Sequence, residues 1–93
     1  MQLDEDRVVE MGPGFRLQWE PAQQRYVLLY TEGMVRLNRS AGEILKRCDG
    51  SRTATEITLE VKSAFGHTDV EQDTRNFMED AYGRGWIRYK PTT

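Results

Sequence analysis

Cys48 is the only cysteine and His67 the only histidine, and this limits the chemistry open to the chain. A structural zinc site wants four Cys or His ligands, which one of each cannot supply. A single thiol forms no internal disulfide. A Cys–His dyad needs the two side chains in contact, but Cys48 falls at an apolar helix position and reads as a small core hydrophobe. His67 reads as a loop residue. Ser40, Ser51 and Ser63 would have to share that one histidine, and none sits in a nucleophile-elbow sequence. Glu79 and Asp80 are adjacent, and adjacent residues do not face each other on a helix, so they read as a solvated face. Gly83-x-Gly85 reads as a helix ending. Gly12-Pro13-Gly14 reads as a bend before a strand, because no helix follows to offer its N-terminus to a phosphate. Asn38-Arg39-Ser40 matches a glycosylation sequon without a secretory signal before it. No set of residues adds up to a reaction centre. The expectation is a protein with no catalytic residue, no metal and no cofactor, not an enzyme.

The charge pattern bears on nucleic acid and membrane. The 93 residues carry 13 basic and 15 acidic side chains, a net charge of −2, interspersed rather than blocked. No polybasic tail or anchor stands out, and no apolar run approaches the about 20 residues of a membrane helix. The acidic start lacks the apolar stretch of a signal peptide, so a cytoplasmic location is expected. Short consecutive helices beside a β-hairpin suggest a winged helix-turn-helix, whose recognition helix should be basic. The candidate helix over 69–84 instead carries Asp69, Glu71, Asp73, Glu79 and Asp80 against Arg75 and Arg84. A DNA-binding winged helix is therefore an alternative reading, disfavoured by charge; no nucleic-acid partner and no membrane are expected.

The elements that would position a site follow from periodicity. Residues 1–14, acidic and polar up to the Gly-Pro-Gly, read as a flexible arm, and 15–93 as the domain. Phe15 to Glu20 alternates with period two, aiming Phe15, Leu17 and Trp19 at a core. Pro21 to Gln24 is a turn, and Arg25 to Thr31 a second strand apolar on both faces. Glu32-Gly33 turns the chain into a third strand, Met34 to Leu37, at the edge of a meander. Asn38 or Ser40 caps a helix with an Ala41, Ile44, Leu45, Cys48 stripe, and Ser40…Glu43 fits a capping box. Thr53…Glu56 and Thr68…Glu71 open two more helices. The first of these shows Ile57, Val61, Ala64 and Phe65 to one side and ends at Gly66. Gly85 to Tyr89 is an extended tail with Trp86 docked on the core. The fold class is α+β, winged helix-turn-helix-like, a three-stranded antiparallel sheet followed by three helices.

Such an edge invites an added strand. A short third strand leaves N–H and C=O groups unpaired, and an extended peptide can pair there while an adjacent amphipathic helix forms the other wall of a groove. The bland alternative is an edge blunted by its shortness and by Arg36, in a plain protein-interaction scaffold.

A resemblance separates these readings. The chain runs Leu28-Leu29-Tyr30-Thr31-Glu32-Gly33-Met34-Val35-Arg36-Leu37-Asn38-Arg39-Ser40-Ala41-Gly42-Glu43-Ile44-Leu45. It continues with Cys48-Asp49-Gly50-Ser51-Arg52-Thr53, then Glu56-Ile57, Asp69-Val70 and a closing Gly85-Trp86. This resembles the pyrroloquinoline quinone (PQQ) biosynthesis protein D family over about residues 15–89. The pattern is L-L-x-x-E-G-x-V-x-L-N-x-x-A-x-E-I-L, C-D-G-x-R-T and a late G-W. Thr31 stands where that family has proline, which alters the turn and not the groove.

The resemblance implies a peptide chaperone. Such a domain, a RiPP recognition element, binds the ribosomal precursor peptide of PQQ and presents it to a radical S-adenosylmethionine maturase that cross-links a glutamate and a tyrosine of the peptide. By position in the fold it implies Met34, Val35, Arg36 and Leu37 for the pairing strand. On the facing helix it implies Val70, Asp73, Thr74 and Phe77. Some members are fused behind the biosynthetic oxidase, so both a free-standing protein and an excised domain fit. The open edge also allows a homodimer.

Overall fold

The computed structural model describes residues 3–66 and 69–91. In chain order the elements are β1 (Val8–Met11), β2 (Arg16–Glu20), β3 (Arg25–Tyr30), β4 (Gly33–Arg36), α1 (Arg39–Lys46), β5 (Asp49–Thr53), α2 (Ala54–Phe65), α3 (Val70–Gly83) and β6 (Ile87–Tyr89). The alternation in β2 and the β-branched and aromatic run of β3 form the expected meander, with strand order β2-β3-β4 and every pair antiparallel. Tyr30 pairs with Gly33, so the turn is Thr31-Glu32 and Gly33 already belongs to the strand. The α+β class, the meander and the three helices stand as expected.

A second sheet was not expected. Its order is β5-β1-β6, all antiparallel. The segment read as an arm thus contains the sheet's middle strand, with Val9 fully buried and Leu3 in the core. Two physical reasons explain the difference. Four residues are too few to show a period, and the partners of β1 lie far along the chain, at Arg52 and Tyr89. Asp49-Gly50-Ser51-Arg52-Thr53 has the composition of a turn, yet forms β5, with Gly50 at φ +86° beside a register shift in β1 between Val9 and Glu10. Gly12 is where the chain leaving β1 crosses the turn between α3 and β6. Its N–H donates to the Trp86 carbonyl at 2.7 Å, and a Cβ there would lie 2.0 Å from the Gly85 oxygen.

The helices cover the sheets through the apolar faces read from the sequence. Ile44, Leu45, Cys48, Ile57, Val61, Val70, Met78 and Ala81 join Val9, Leu28, Leu37 and Ile87 in one core. Burying each large apolar side chain contributes about 1.5–3 kcal/mol. Ala64 is exposed and Phe65 half-buried, so α2 uses Ala54 and Thr58 beside Ile57 and Val61 instead. At α1, Asn38 is the cap: its Oδ1 accepts from the Ala41 N–H at 2.8 Å and from the Ser40 hydroxyl at 3.1 Å. The Ser40–Glu43 box is not formed: with Asn38 as the cap, Ser40 lies inside the helix, and the Glu43 carboxylate pairs with Arg47. The Thr53–Glu56 box is present, and Gly66 closes α2 at φ +69°. His67 and Thr68, the latter read as a cap, lie outside the described residues. Asp69 precedes α3 without a side-chain cap bond.

Trp19 also departs from expectation. It remains 43% exposed, edge-on to Tyr26 at 4.9 Å, at the rim of the core rather than inside it.

Candidate functional site

The sequence-predicted strand is β4, and it lies at an edge of its sheet. The direction of its backbone groups follows from one hydrogen bond. The Leu37 N–H donates to the Tyr26 carbonyl at 3.1 Å, across to β3. In an antiparallel ladder the groups of successive residues point to alternate sides. Val35 and Gly33 therefore point to β3 with Leu37, and Met34 and Arg36 turn their N–H and C=O groups to the free edge. The side chains alternate as well. Val35 and Leu37 pack against or within the core, whereas Met34 is 50% exposed and Arg36 exposed. Of the four strand residues, two thus hold the strand in place and two face outward along the edge.

The four helical residues come together in one cavity. Val70, Asp73, Thr74 and Phe77 of α3 line about 210 Å³, with Asn38, Ser40, Ala41, Ile44 and Val61 as the other walls. Val70 and Thr74 are buried and form its floor, Phe77 is half-buried, and Asp73 is exposed at the mouth. Phe77 is positioned from behind by Trp86, at 6.4 Å between rings, and the Arg84 guanidinium lies over that indole at 5.6 Å. Leu37 and Asn38 carry the chain directly from the edge strand into the cavity wall, which places edge and cavity side by side. Neither Arg36 nor Asp73 is in an ion pair among the described residues. The arrangement can bond an extended backbone along β4, seat an apolar side chain in the cavity, and meet a charge at either residue.

The α1 wall was missed by sequence reasoning, although Asn38 and Ala41 stand in the quoted pattern and Asn38 was read as a cap. A larger hollow of about 530 Å³ lies toward the β2–β3 turn, lined by Trp19, Gln24, Arg25, Tyr26, Leu37, Asn38, Arg39 and Glu43. The Arg47 hydrogen bond holds the Glu43 carboxyl below the usual carboxylate range. Cys48 belongs to neither cavity; burial pushes its thiol up to about 12, which makes it unreactive at neutral pH.

The chain is similar to known proteins in sequence and in fold. The family model for coenzyme PQQ synthesis protein D (PqqD) matches residues 25–87. The PqqA binding protein of Methylococcus capsulatus is 44% identical over 88 residues, 95% of each chain. That of Azotobacter vinelandii is 46% identical over 81 residues, 86% of this chain and 88% of its own. In fold the chain is similar to the solution NMR structure of the PqqD truncation of Methylobacterium extorquens PqqCD, a functional and stand-alone recognition element for ribosomally synthesized and modified peptides. The TM-score is 0.71 at 20% identity, covering 92% of this chain and 94% of that one.

Proposed function

The chain belongs to the coenzyme PQQ synthesis protein D family, and on that premise we propose that it is a peptide chaperone. It binds the PqqA precursor peptide as an added strand along β4 and presents it, extended, to the radical S-adenosylmethionine maturase. The observation that carries this reading is the open edge at Met34 and Arg36 beside a cavity that gathers Val70, Asp73, Thr74 and Phe77. Main-chain hydrogen bonds supply affinity, and the cavity and the two charged residues select side chains. The peptide loses its conformational freedom on binding, so the maturase receives a segment already ordered. In this reading the domain performs no chemistry itself and works in the cytoplasm. The relatives' name, PqqA binding protein, supports the choice of peptide.

The test is a titration of isotope-labelled protein with the precursor peptide, read by amide chemical shifts. Shifts should cluster at residues 34–37 and along α3. Met34→Pro removes an outward N–H at an edge position where proline is tolerated, and should weaken binding about tenfold, as loss of roughly 1 kcal/mol or slightly more requires. Met34→Ala keeps that N–H and should bind within about threefold of the wild type. Equal affinity for the proline variant, or shifts confined to other surfaces, would overturn the strand-addition mechanism.

A further inference from the structure

The outward face of the meander presents a second surface, distinct from its edge. Strand register fixes its membership. Arg16, Leu29 and Met34 form one cross-strand row, Gln18, Val27 and Arg36 the next, and Glu20 with Arg25 the last. The opposite face carries Leu17, Leu28 and Val35 into the core. Val27 is only 1% exposed although it is not part of that core, so the outward face has a covered apolar centre of its own, continued by half-buried Leu29 and exposed Met34. Around this centre stand three arginines and one acid. None of Arg16, Arg25 and Arg36 is in an ion pair among the described residues, whereas Arg47, Arg52, Arg75, Arg84 and Arg88 all are.

We propose that this face docks an acidic patch of a protein, and that the occupant is the enzyme that receives the peptide. In a chain of net charge −2, a face whose arginines are in no ion pair among the described residues is complementary to an anionic surface. Half-buried Leu29 and exposed Met34 beside these arginines suit a protein interface, since arginine and methionine are enriched there. The small number of cations and the apolar middle argue against a nucleic-acid backbone as the occupant. The choice of enzyme rests on the function proposed above; the choice of surface does not. β4 then serves two partners at once: its edge bonds the peptide, while the face it shares with β2 and β3 lies against the enzyme.

The test uses Arg16→Glu/Arg25→Glu, which leaves β4 and the cavity untouched, with Arg16→Gln/Arg25→Gln as the milder pair. Binding to purified maturase and to precursor peptide is measured separately by titration. The expected result is a loss of at least tenfold in maturase affinity for the reversed pair, a smaller loss for the neutral pair, and unchanged peptide affinity. Wild-type affinity for the maturase should also fall as salt rises. Wild-type-like maturase binding by both variants overturns the proposal. So does a wild type that binds peptide but not maturase, an outcome that leaves the peptide reading standing. The converse, arginine-dependent maturase binding without peptide binding, upholds the docking face and removes the peptide reading. A short DNA duplex serves as control, and duplex affinity that exceeds maturase affinity and disappears with the arginines would also overturn it.

Discussion

The two three-stranded sheets have the same size and opposite characters. In β5-β1-β6 the middle strand is buried at Val9 and the surroundings are cross-linked by polar contacts. Arg88 pairs with Glu10, the Tyr89 hydroxyl accepts from the Asp4 N–H, and the Thr55 hydroxyl donates to the Glu5 carbonyl. Its strands come from widely separated parts of the chain. In β2-β3-β4 the strands are consecutive, Trp19, Tyr30 and Met34 are exposed, and Arg16, Arg25 and Arg36 are in no ion pair among the described residues. The first sheet is a clasp cross-linked by side-chain contacts. The second is held by one core face and keeps its edge and its other face available. The surfaces proposed for partners lie on the second sheet, where fewer side chains are paired internally.

Substitutions can break this contrast. Val9→Asp places an unpaired charge in the clasp and should cost about 4 kcal/mol or more, most of the stability of a domain this small, read by urea denaturation. Met34→Asp, on the meander, should cost less than about 1 kcal/mol. Similar losses at both sites would end the distinction. An intermediate effect is expected where the meander meets α1. A Cβ on Gly42 would lie 2.9 Å from Tyr26 Cδ2 and 3.2 Å from its Cβ. Overpacking costs about 1–3 kcal/mol, partly offset by about 1 kcal/mol of helix propensity, so Gly42→Ala should lose about 1 kcal/mol net. Its amide shifts should change on the meander and not in the clasp.

The subtlest effect is chemical. Cys48 directly precedes β5, and a thiol pushed up to about 12 by burial carries roughly a hundredth or less of the thiolate of a free one at pH 8. Iodoacetamide should therefore modify the native protein at least a hundredfold more slowly than the urea-unfolded chain. Substitutions on the meander should leave that rate slow; substitutions in the clasp should raise it. Because the folded thiol titrates above the unfolded one, its contribution to stability is complete below the unfolded value near 9 and is lost as pH rises toward 12. Cys48→Ala should flatten that alkaline decline.

Legibility in the sequence followed the same division. The meander could be read because its strands are neighbours, β2 alternates over five residues, β3 is a β-branched and aromatic run, and Pro21 and Gly33 mark the reversals between them. The helices showed through the 3.6-residue stripe of α1 and the box at Thr53. The clasp could not, because what makes β1 and β5 strands is each other, across a separation no local pattern reports. At the site, β4 and the α3 face were visible from period and resemblance. The α1 wall was not, since Ala41 and Ile44 read equally well as core. The outward aim of Met34 and Arg36 depends on one hydrogen bond from Leu37 to Tyr26, which composition does not encode.

The long reach of β1 has a consequence during synthesis. Val8 and Val9 are made before their partners, since Val9 pairs with Arg52 and Tyr89, so the strand waits until Tyr89 has been made. At about 5–20 residues per second, that wait is seconds long. An unpaired β-branched strand is an aggregation hazard in that interval, and charged residues beside it act as gatekeepers. Asp4, Glu5, Asp6 and Arg7 before the valines, and Glu10 after them, stand where such protection is needed. Charged residues on both sides of Val8 and Val9 are thus expected to limit aggregation of the strand until Tyr89 is available to pair.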